Sequence, residues 1–182
     1  MKIPWVSPAI QSLPKFNDSI WIIQVAILTS AEPVDLTAAK NVWRPRSVAA
    51  LTQTRALLLL RTKNYKTKKN RSRQGAVWEL PQGKVSGTDA DVESGLRRVV
   101  SEKTGLTVKD IMGGFVPLVV LDSNPEKPVQ LKLFFALTVQ ELTLCGDPGH
   151  VTVVPGPEYT GYRWIRHIQT LQHFLCQACT SP

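Results

Sequence analysis

The sequence is poor in cysteine and histidine, with three of each among 182 residues. An odd number of cysteines argues against a disulfide framework and favours a reducing compartment. Cys176 and Cys179 have the spacing of half a zinc site, but the sequence holds no second pair to complete it. These shortages argue against both a disulfide-stapled secreted domain and a zinc module.

Long hydrophobic runs are also missing. The apolar stretches at residues 20–28 and 57–60 are too short to cross a bilayer, so we expect no membrane span. Residues 1–17 are proline-rich and lack a basic segment followed by an apolar run, which argues against a secretory signal. We therefore expect a cytoplasmic protein with an irregular arm over residues 1–17 and one domain over residues 18–182.

Acidic residues are outnumbered, with 14 Asp and Glu against 22 Lys and Arg, and the net charge is +8. Much of the excess lies in residues 61–73, which we interpret first as a solvated loop because charge blocks are often exposed. The rim of a cleft for an anionic ligand is the second interpretation. Tyr65 is the only aromatic residue in the run, which argues against nucleic-acid binding because single-strand binders stack several bases.

Hydrophobic patterning predicts a strand-rich chain. Strands are predicted at residues 20–28, 55–60, 75–80, 115–121 and 129–139, with short candidates at residues 142–144 and 151–154. The alternating run at residues 129–139 is expected to form a hairpin with the strand before it. An apolar stripe at helical spacing predicts a C-terminal helix over residues 163–178.

Residues 78–106 read WELPQGKVSGTDADVESGLRRVVSEKTGL and carry the densest local signals. Alternation predicts a strand ending at Leu80, followed by a turn at residues 81–83. Residues 88–91 include three competent N-caps, so a helix is predicted to begin there. Gly105 is predicted to end that helix.

This stretch resembles the Nudix box, G-x5-E-x7-R-E-U-x-E-E-x-G-U, in which U is aliphatic. Counted forward from Gly83, the first Glu of the pattern falls on Asp89 and its Arg falls on Arg97. Counted back from Gly105, the Arg falls on Arg98. The two frames differ by one residue, which indicates an insertion in the loop or at the start of the helix.

The resemblance implies an α/β fold, a single Nudix-like α/β/α sandwich with a mixed sheet between the box helix and a C-terminal helix. It also implies a hydrolase of a small nucleoside-linked or other organic diphosphate that uses Mg²⁺ or Mn²⁺. Only Glu102 survives of the three box carboxylates in either frame, so weakened activity is expected. Residues 157–165, PEYTGYRWI, resemble a second family segment, and they offer Glu158 as another carboxylate.

The site residues follow from this resemblance. Glu102, Glu158 and the carbonyl of Gly83 are the expected metal ligands. The expected catalytic residues are Glu102, Glu158 and Arg98, of which Arg98 orients a ligand. The expected contacts to an anionic small-molecule substrate are Lys103, Lys84 and Arg61.

Lys103 leaves the function open. In the backward frame it places an ammonium group where the family has a metal-binding carboxylate, and it would repel a nearby metal ion. One interpretation is that Lys103 points to solvent and pairs along the helix. Another is that Lys103 and Arg98 replace metal charge and bind an anion directly, and a third is that the alignment is wrong. The alternative function is therefore a Nudix fold without a metal cofactor, which acts on a small organic molecule or only binds a ligand or protein. The sequence does not indicate an oligomeric state.

Overall fold

The computed structural model describes residues 20–29, 54–66, 72–114, 118–120 and 129–166. The elements are β1 (Ile20–Ile27), β2 (Ala56–Lys66), β3 (Ser72–Glu79), β4 (Gln82–Lys84), α1 (Val92–Thr104), β5 (Val108–Gly114), β6 (Leu118–Val120), β7 (Gln130–Val139), α2 (Gln140–Cys145) and β8 (Tyr159–Ile165). A short 3-10 turn spans Pro148–His150. The predicted N-terminal arm and most of the predicted C-terminal helix fall outside these residues, and the domain boundary stays a prediction.

The elements form two sheets. The larger has the order β4-β1-β7-β5, with β6 also pairing with β7, and the smaller has the order β3-β2-β8. β1 and β7 run parallel, from Ile20 opposite Gln130 to Ile27 opposite Leu137, whereas the other pairings are antiparallel. This arrangement confirms the predicted α/β fold with a mixed sheet, and the predicted hairpin ending in β7 is confirmed.

The box helix α1 has the predicted limits and packs on the larger sheet. Its N-cap Asp91 accepts a hydrogen bond from the Ser94 amide at 2.7 Å, and the Ser94 hydroxyl accepts one from the Asp91 amide at 3.0 Å. Gly105 ends the helix at φ 68°, a backbone conformation that favours glycine. Leu96 and Val99 are completely buried in the main core, and each such side chain contributes about 1.5–3 kcal/mol by leaving water.

The basic run is not a simple loop, so that prediction is wrong over residues 61–66 and 72–73. These residues extend β2 and β3 as an antiparallel hairpin, with Leu59 opposite Glu79 and Lys66 opposite Ser72. Hydrogen bonds between strand backbones do not require apolar side chains. The apolar half of β2 sets the register with β3, and the charged half extends the same ladder. The tip of the hairpin lies outside the described residues.

The start of the predicted helix at residues 163–178 is also wrong. Trp164 and Ile165 belong to β8 and pair with Leu57 and Ala56 of β2. Their apolar character serves a half-buried strand, and helical spacing alone could not show which pairing partner was available. The rest of this predicted helix lies beyond the described ranges.

Smaller corrections concern short segments. A turn is predicted at residues 81–83, but residues 82 and 83 belong to β4, which pairs with β1. Residues 142–144 belong to α2 and not to a strand. A strand would have placed Leu142 and Leu144 on the same buried face, but Leu142 is buried and Leu144 is 85% exposed. Residues 151–154 form no strand, and β5, whose sequence is more polar, was not predicted. No helix in the described ranges is long and apolar enough to cross a membrane.

Candidate functional site

Arg98 ties α1 to the loop that precedes it. Its Nε and Nη2 donate to the two carboxylate oxygens of Asp89, each at 2.8 Å. Nη2 also donates to the Lys84 carbonyl at 2.9 Å, and Nη1 donates to Glu102 Oε2 at 3.1 Å. The Ser86 amide donates to Asp89 Oδ2 at 2.8 Å. Arg98 therefore positions the loop, β4 and Glu102 together.

Asp89 is buried, and its charge is stabilised by this contact. The hydrogen bonds from Arg98 lower the pKa of Asp89 below its usual value, although burial opposes the shift. The same bonds raise the pKa of Arg98 further. Both groups therefore stay charged across the neutral range.

The Asp89–Arg98 pair joins the residue at which the forward frame places the first Glu of the pattern to the residue at which the backward frame places its Arg. The position of the insertion stays a prediction. Arg97 has a different role, because its side chain donates to Glu93 and to the Val108 carbonyl. Of the two candidate arginines, Arg98 is the one that contacts Glu102.

Gly83 and Lys84 lie in β4 against α1. A Cβ atom on Gly83 would lie 2.8 Å from Val99 Cγ2, so β4 can approach the helix closely only with glycine there. Gly83 is opposite Ile23 in the ladder with β1. The Lys84 side chain is exposed, and the role of Lys84 in substrate binding stays a prediction, as does that of Gly83 in metal binding.

A second group of charged residues lies at the C-terminal end of α1, and we call it the four-charge cluster: Arg61, Glu79, Lys103 and Glu158. Glu158 Oε1 accepts a hydrogen bond from Lys103 Nζ, and Arg61 Nη2 lies 3.7 Å from the same oxygen. Arg61 Nε lies 3.1 Å from Glu79 Oε1. The Arg61 guanidinium carbon is 5.1 Å from the centre of the Tyr159 ring, and the Tyr159 hydroxyl donates to Glu79 Oε1 at 3.3 Å.

The cluster is partly shielded from water, and its two cations balance its two carboxylates. The side chains of Lys103 and Glu158 are 19% and 28% exposed, and Glu79 is buried. Burial raises the pKa of Glu158, but the Lys103 hydrogen bond and the nearby cations outweigh it, so the net pKa is lowered. Burial and the Glu79 charge raise the pKa of Tyr159.

The segment before β8 brings Glu158 to α1. The Gly156 amide donates to the Lys103 carbonyl at 3.1 Å, and the Val154 amide donates to the Thr104 carbonyl at 2.8 Å. A Cβ atom on Gly156 would lie 2.9 Å from both the Glu102 carbonyl oxygen and Glu158 Oε2. The close approach therefore depends on glycine, and it places Glu158 beside the helix end that carries Glu102 and Lys103.

The side chains present do not fit a cluster of divalent metal ions. Magnesium requires hard oxygen ligands, and the described residues contain no group of three or more His, Cys, Asp or Glu that could hold a metal. The Glu102 carboxylate is bound by Arg98, and Glu158 is bound by Lys103. Both carboxylates that the family resemblance offers for a metal ion are therefore paired with cationic side chains.

The sequence reasoning identified Arg61, Lys103 and Glu158 separately, and the structure brings them together. It did not identify Glu79 or Tyr159 as site residues. The alternation of β3 could have identified Glu79, because it places this residue on the buried face of the strand. In the structure Glu79 lies opposite the buried Leu59. A charged residue at an inward position requires a partner.

The profile of the NUDIX domain family matches residues 43–174. The NUDIX domain of Shewanella oneidensis NrtR, complexed with ADP ribose, is 11% identical with a TM-score of 0.50, and the match covers 91% of each chain. A MutT NUDIX hydrolase from Burkholderia pseudomallei is 13% identical with a TM-score of 0.50, covering 87% of this chain and 97% of that one. A MutT protein from Methanosarcina mazei Go1 is 19% identical with a TM-score of 0.47, covering 91% of this chain and 96% of that one. No curated protein sequence matches significantly.

Proposed function

The chain belongs to the Nudix domain family, and from that premise we propose that it binds a small nucleoside-linked or other organic diphosphate and hydrolyses it only weakly. One observation carries the proposal. Lys103 Nζ and Arg61 Nη2 converge on a single carboxylate oxygen beside the box helix. Two cations so arranged suit a phosphate group, which offers several strong acceptor oxygens.

Weak turnover follows from the groups available for chemistry. Hydrolysis of a diphosphate requires stabilisation of developing negative charge and an activated water molecule, and metal ions normally provide both. Arg61 and Lys103 can stabilise charge, but they cannot serve as a base while protonated. Glu102 and Glu158 are the carboxylates of the family pattern that remain, and each is held in an ion pair. Burial opposes the shift, but the contacts with Lys103 lower the pKa of Glu158 and so weaken it as a base.

A second candidate function is ligand binding without hydrolysis, or a metal-free reaction on a small organic molecule. The observation that favours it is the Lys103–Glu158 ion pair. In the backward frame Lys103 stands where the family has a metal-binding carboxylate, and its charge is already balanced by Glu158 without a metal ion. A cytoplasmic location, and a small molecule as partner in preference to a nucleic acid, remain predictions of the sequence.

The first experiment separates the two candidates. ADP-ribose is a suitable trial ligand because it contains a nucleoside-linked diphosphate, and because the NrtR NUDIX domain is complexed with it. Calorimetry measures binding in EDTA, and phosphorus NMR measures hydrolysis in EDTA and then with Mg²⁺ or Mn²⁺. We expect binding that survives EDTA together with slow turnover, whereas binding without any turnover would favour the second candidate.

Two variants sharpen the result. Glu102→Gln keeps the shape of the side chain but removes its charge. If metal ions perform the chemistry, the turnover should fall by orders of magnitude. If the protein is a weakened hydrolase, Lys103→Glu should raise metal affinity and turnover. If it is a binding domain, Lys103→Glu should only lower its affinity for the ligand. Lys109→Glu is the matched control, because Lys109 makes only a 4.0 Å surface contact with Asp110.

Rapid metal-dependent hydrolysis that persists in Glu102→Gln would contradict this account of the site. Equal loss of ligand affinity in Lys103→Glu and Lys109→Glu would show that overall charge, and not the site, attracts the ligand.

A further inference from the structure

We propose that Glu158 is an internal occupant of an anion subsite formed by Arg61 and Lys103, and that a phosphate group of the ligand displaces its carboxylate. The inference rests on the proposed function and deepens it, because it states how the ligand enters. It also reverses the role that the family resemblance implies for Glu158. The residue competes with the ligand and does not assist it through a metal ion.

The first support is that one carboxylate oxygen receives both cations. Glu158 Oε1 accepts from Lys103 Nζ and lies 3.7 Å from Arg61 Nη2. A phosphate oxygen at the same position would meet the same two groups. A terminal phosphate, such as either group of inorganic pyrophosphate, carries about −1.5 to −2 at neutral pH, whereas a carboxylate carries a single charge, so that phosphate interacts more strongly with two cations.

The second support is that Arg61 has its own anchors. Its Nε lies 3.1 Å from Glu79 Oε1, an ion contact that does not involve Glu158, and its guanidinium group lies near the Tyr159 ring. Tyr159 in turn donates to Glu79. Removal of the Glu158 carboxylate therefore leaves Arg61 directed at the subsite, and preorganisation of this kind lowers the cost of binding.

The backbone of Lys103 is anchored at the end of α1. Its carbonyl accepts from the Gly156 amide at 3.1 Å, which fixes the end of α1 against the segment that carries Glu158. The subsite is thus built from one strand residue and one helix residue, whose backbones are both held in secondary structure.

Glu158 itself is placed where it can leave. It lies in the turn before β8 and forms no part of the ladder with β2, which begins at Tyr159 opposite Arg61. Its side chain is 28% exposed. Rotation of the carboxylate toward water breaks ion contacts but no strand pairing. If it stays, its negative charge repels the phosphate, and like charges in contact are strongly unfavourable.

The two roles of Glu158 make different predictions for binding in EDTA. If Glu158 helps to bind the ligand only through a metal ion, Glu158→Gln should not tighten binding once the metal is removed. If Glu158 occupies the subsite, Glu158→Gln should tighten binding, because an uncharged amide of the same shape competes poorly for two cations. A gain in affinity is therefore the result that decides between them.

Inorganic pyrophosphate in EDTA is the probe, and its affinity is measured by calorimetry for the wild type and three variants. We expect Glu158→Gln to bind about tenfold more tightly, a modest factor because the pair is partly exposed. Lys103→Met should bind at least about tenfold more weakly, since it removes one of two cations. Glu93→Gln is the matched control. It deletes a carboxylate from the distant Arg97 pair on the same helix, and it should leave the affinity unchanged.

A second measurement does not depend on a variant. Titration of pyrophosphate into the wild-type protein should shift the NMR signals of the Lys103 side chain and of the Glu158 and Tyr159 amides together. If Glu158→Gln does not fold, these shifts still decide the matter, because unshifted signals at saturation would overturn the subsite.

The remaining outcomes separate the inference from the function on which it rests. Weaker or unchanged pyrophosphate binding by folded Glu158→Gln would overturn the displacement, even if the wild type binds ADP-ribose. Failure of the wild type and Glu158→Gln to bind either ligand would refute the proposed function as well. An equal gain in Glu93→Gln would attribute the effect to net charge and would also overturn the inference.

Discussion

Asp89→Asn should destabilise the folded domain by about 2 kcal/mol at neutral pH. Removing one partner of a buried ion pair costs about 3–5 kcal/mol, because the other charge is left uncompensated. Here the Asp89 side chain is 4% exposed but Arg98 is 30% exposed, and Arg98 keeps its bonds to Glu102 and the Lys84 carbonyl. An asparagine oxygen can still accept from the Ser86 amide. The estimate therefore lies below the usual range.

The pH dependence follows from the lowered pKa of Asp89. A carboxyl group whose pKa is lower when folded binds fewer protons in the folded state, so its contribution is complete above the pKa of the unfolded chain, about 3.9. The contribution is lost as the pH falls through the folded-state pKa. The stability difference between wild type and Asp89→Asn should be constant from about pH 7 to 5 and shrink below about pH 4.

Urea denaturation followed by tryptophan fluorescence measures this difference at each pH. Glu93→Gln is the control, because the exposed Glu93–Arg97 pair should contribute only about 0.3 kcal/mol. If Asp89→Asn and Glu93→Gln cost the same, Arg98 does not depend on Asp89 as described. A difference that stays constant well below about pH 4 would contradict the assigned pKa direction.

Two further predictions concern packing and ionisation. Gly83→Ala should destabilise the domain by about 1–3 kcal/mol because its Cβ would lie 2.8 Å from Val99 Cγ2. Combining it with Val99→Ala should recover part of that loss, and strictly additive unfolding free energies would refute the contact. Tyr159 should remain un-ionised near its ordinary pKa of about 10, because burial and Glu79 raise its pKa. Ultraviolet titration of wild type against Tyr159→Phe tests this, and a difference signal at that pH would refute it.

The sequence by itself determined the elements whose side chains repeat with a clear period. β1, β7 and α1 lie where apolar spacing placed them, because a buried strand or helix face requires that spacing. Gly105 marked the end of α1 because its φ of 68° favours glycine. Motif resemblance indicated the family and proposed Arg98 and Glu158 as site residues, but it left two frames open.

Only the tertiary structure decided which of these residues meet. Lys103 and Glu158 are 55 positions apart, and Glu79 and Tyr159 are 80 positions apart. Such contacts depend on sheet register and on the path of the segment around Gly156, and neither leaves a periodic signal in the sequence. The same reason explains the error at β8, because the apolar residues at its end fit a helix or a strand until β2 offers backbone partners. Local periodicity fixes which face of an element is buried, whereas the charges that share a site are selected by long-range pairing.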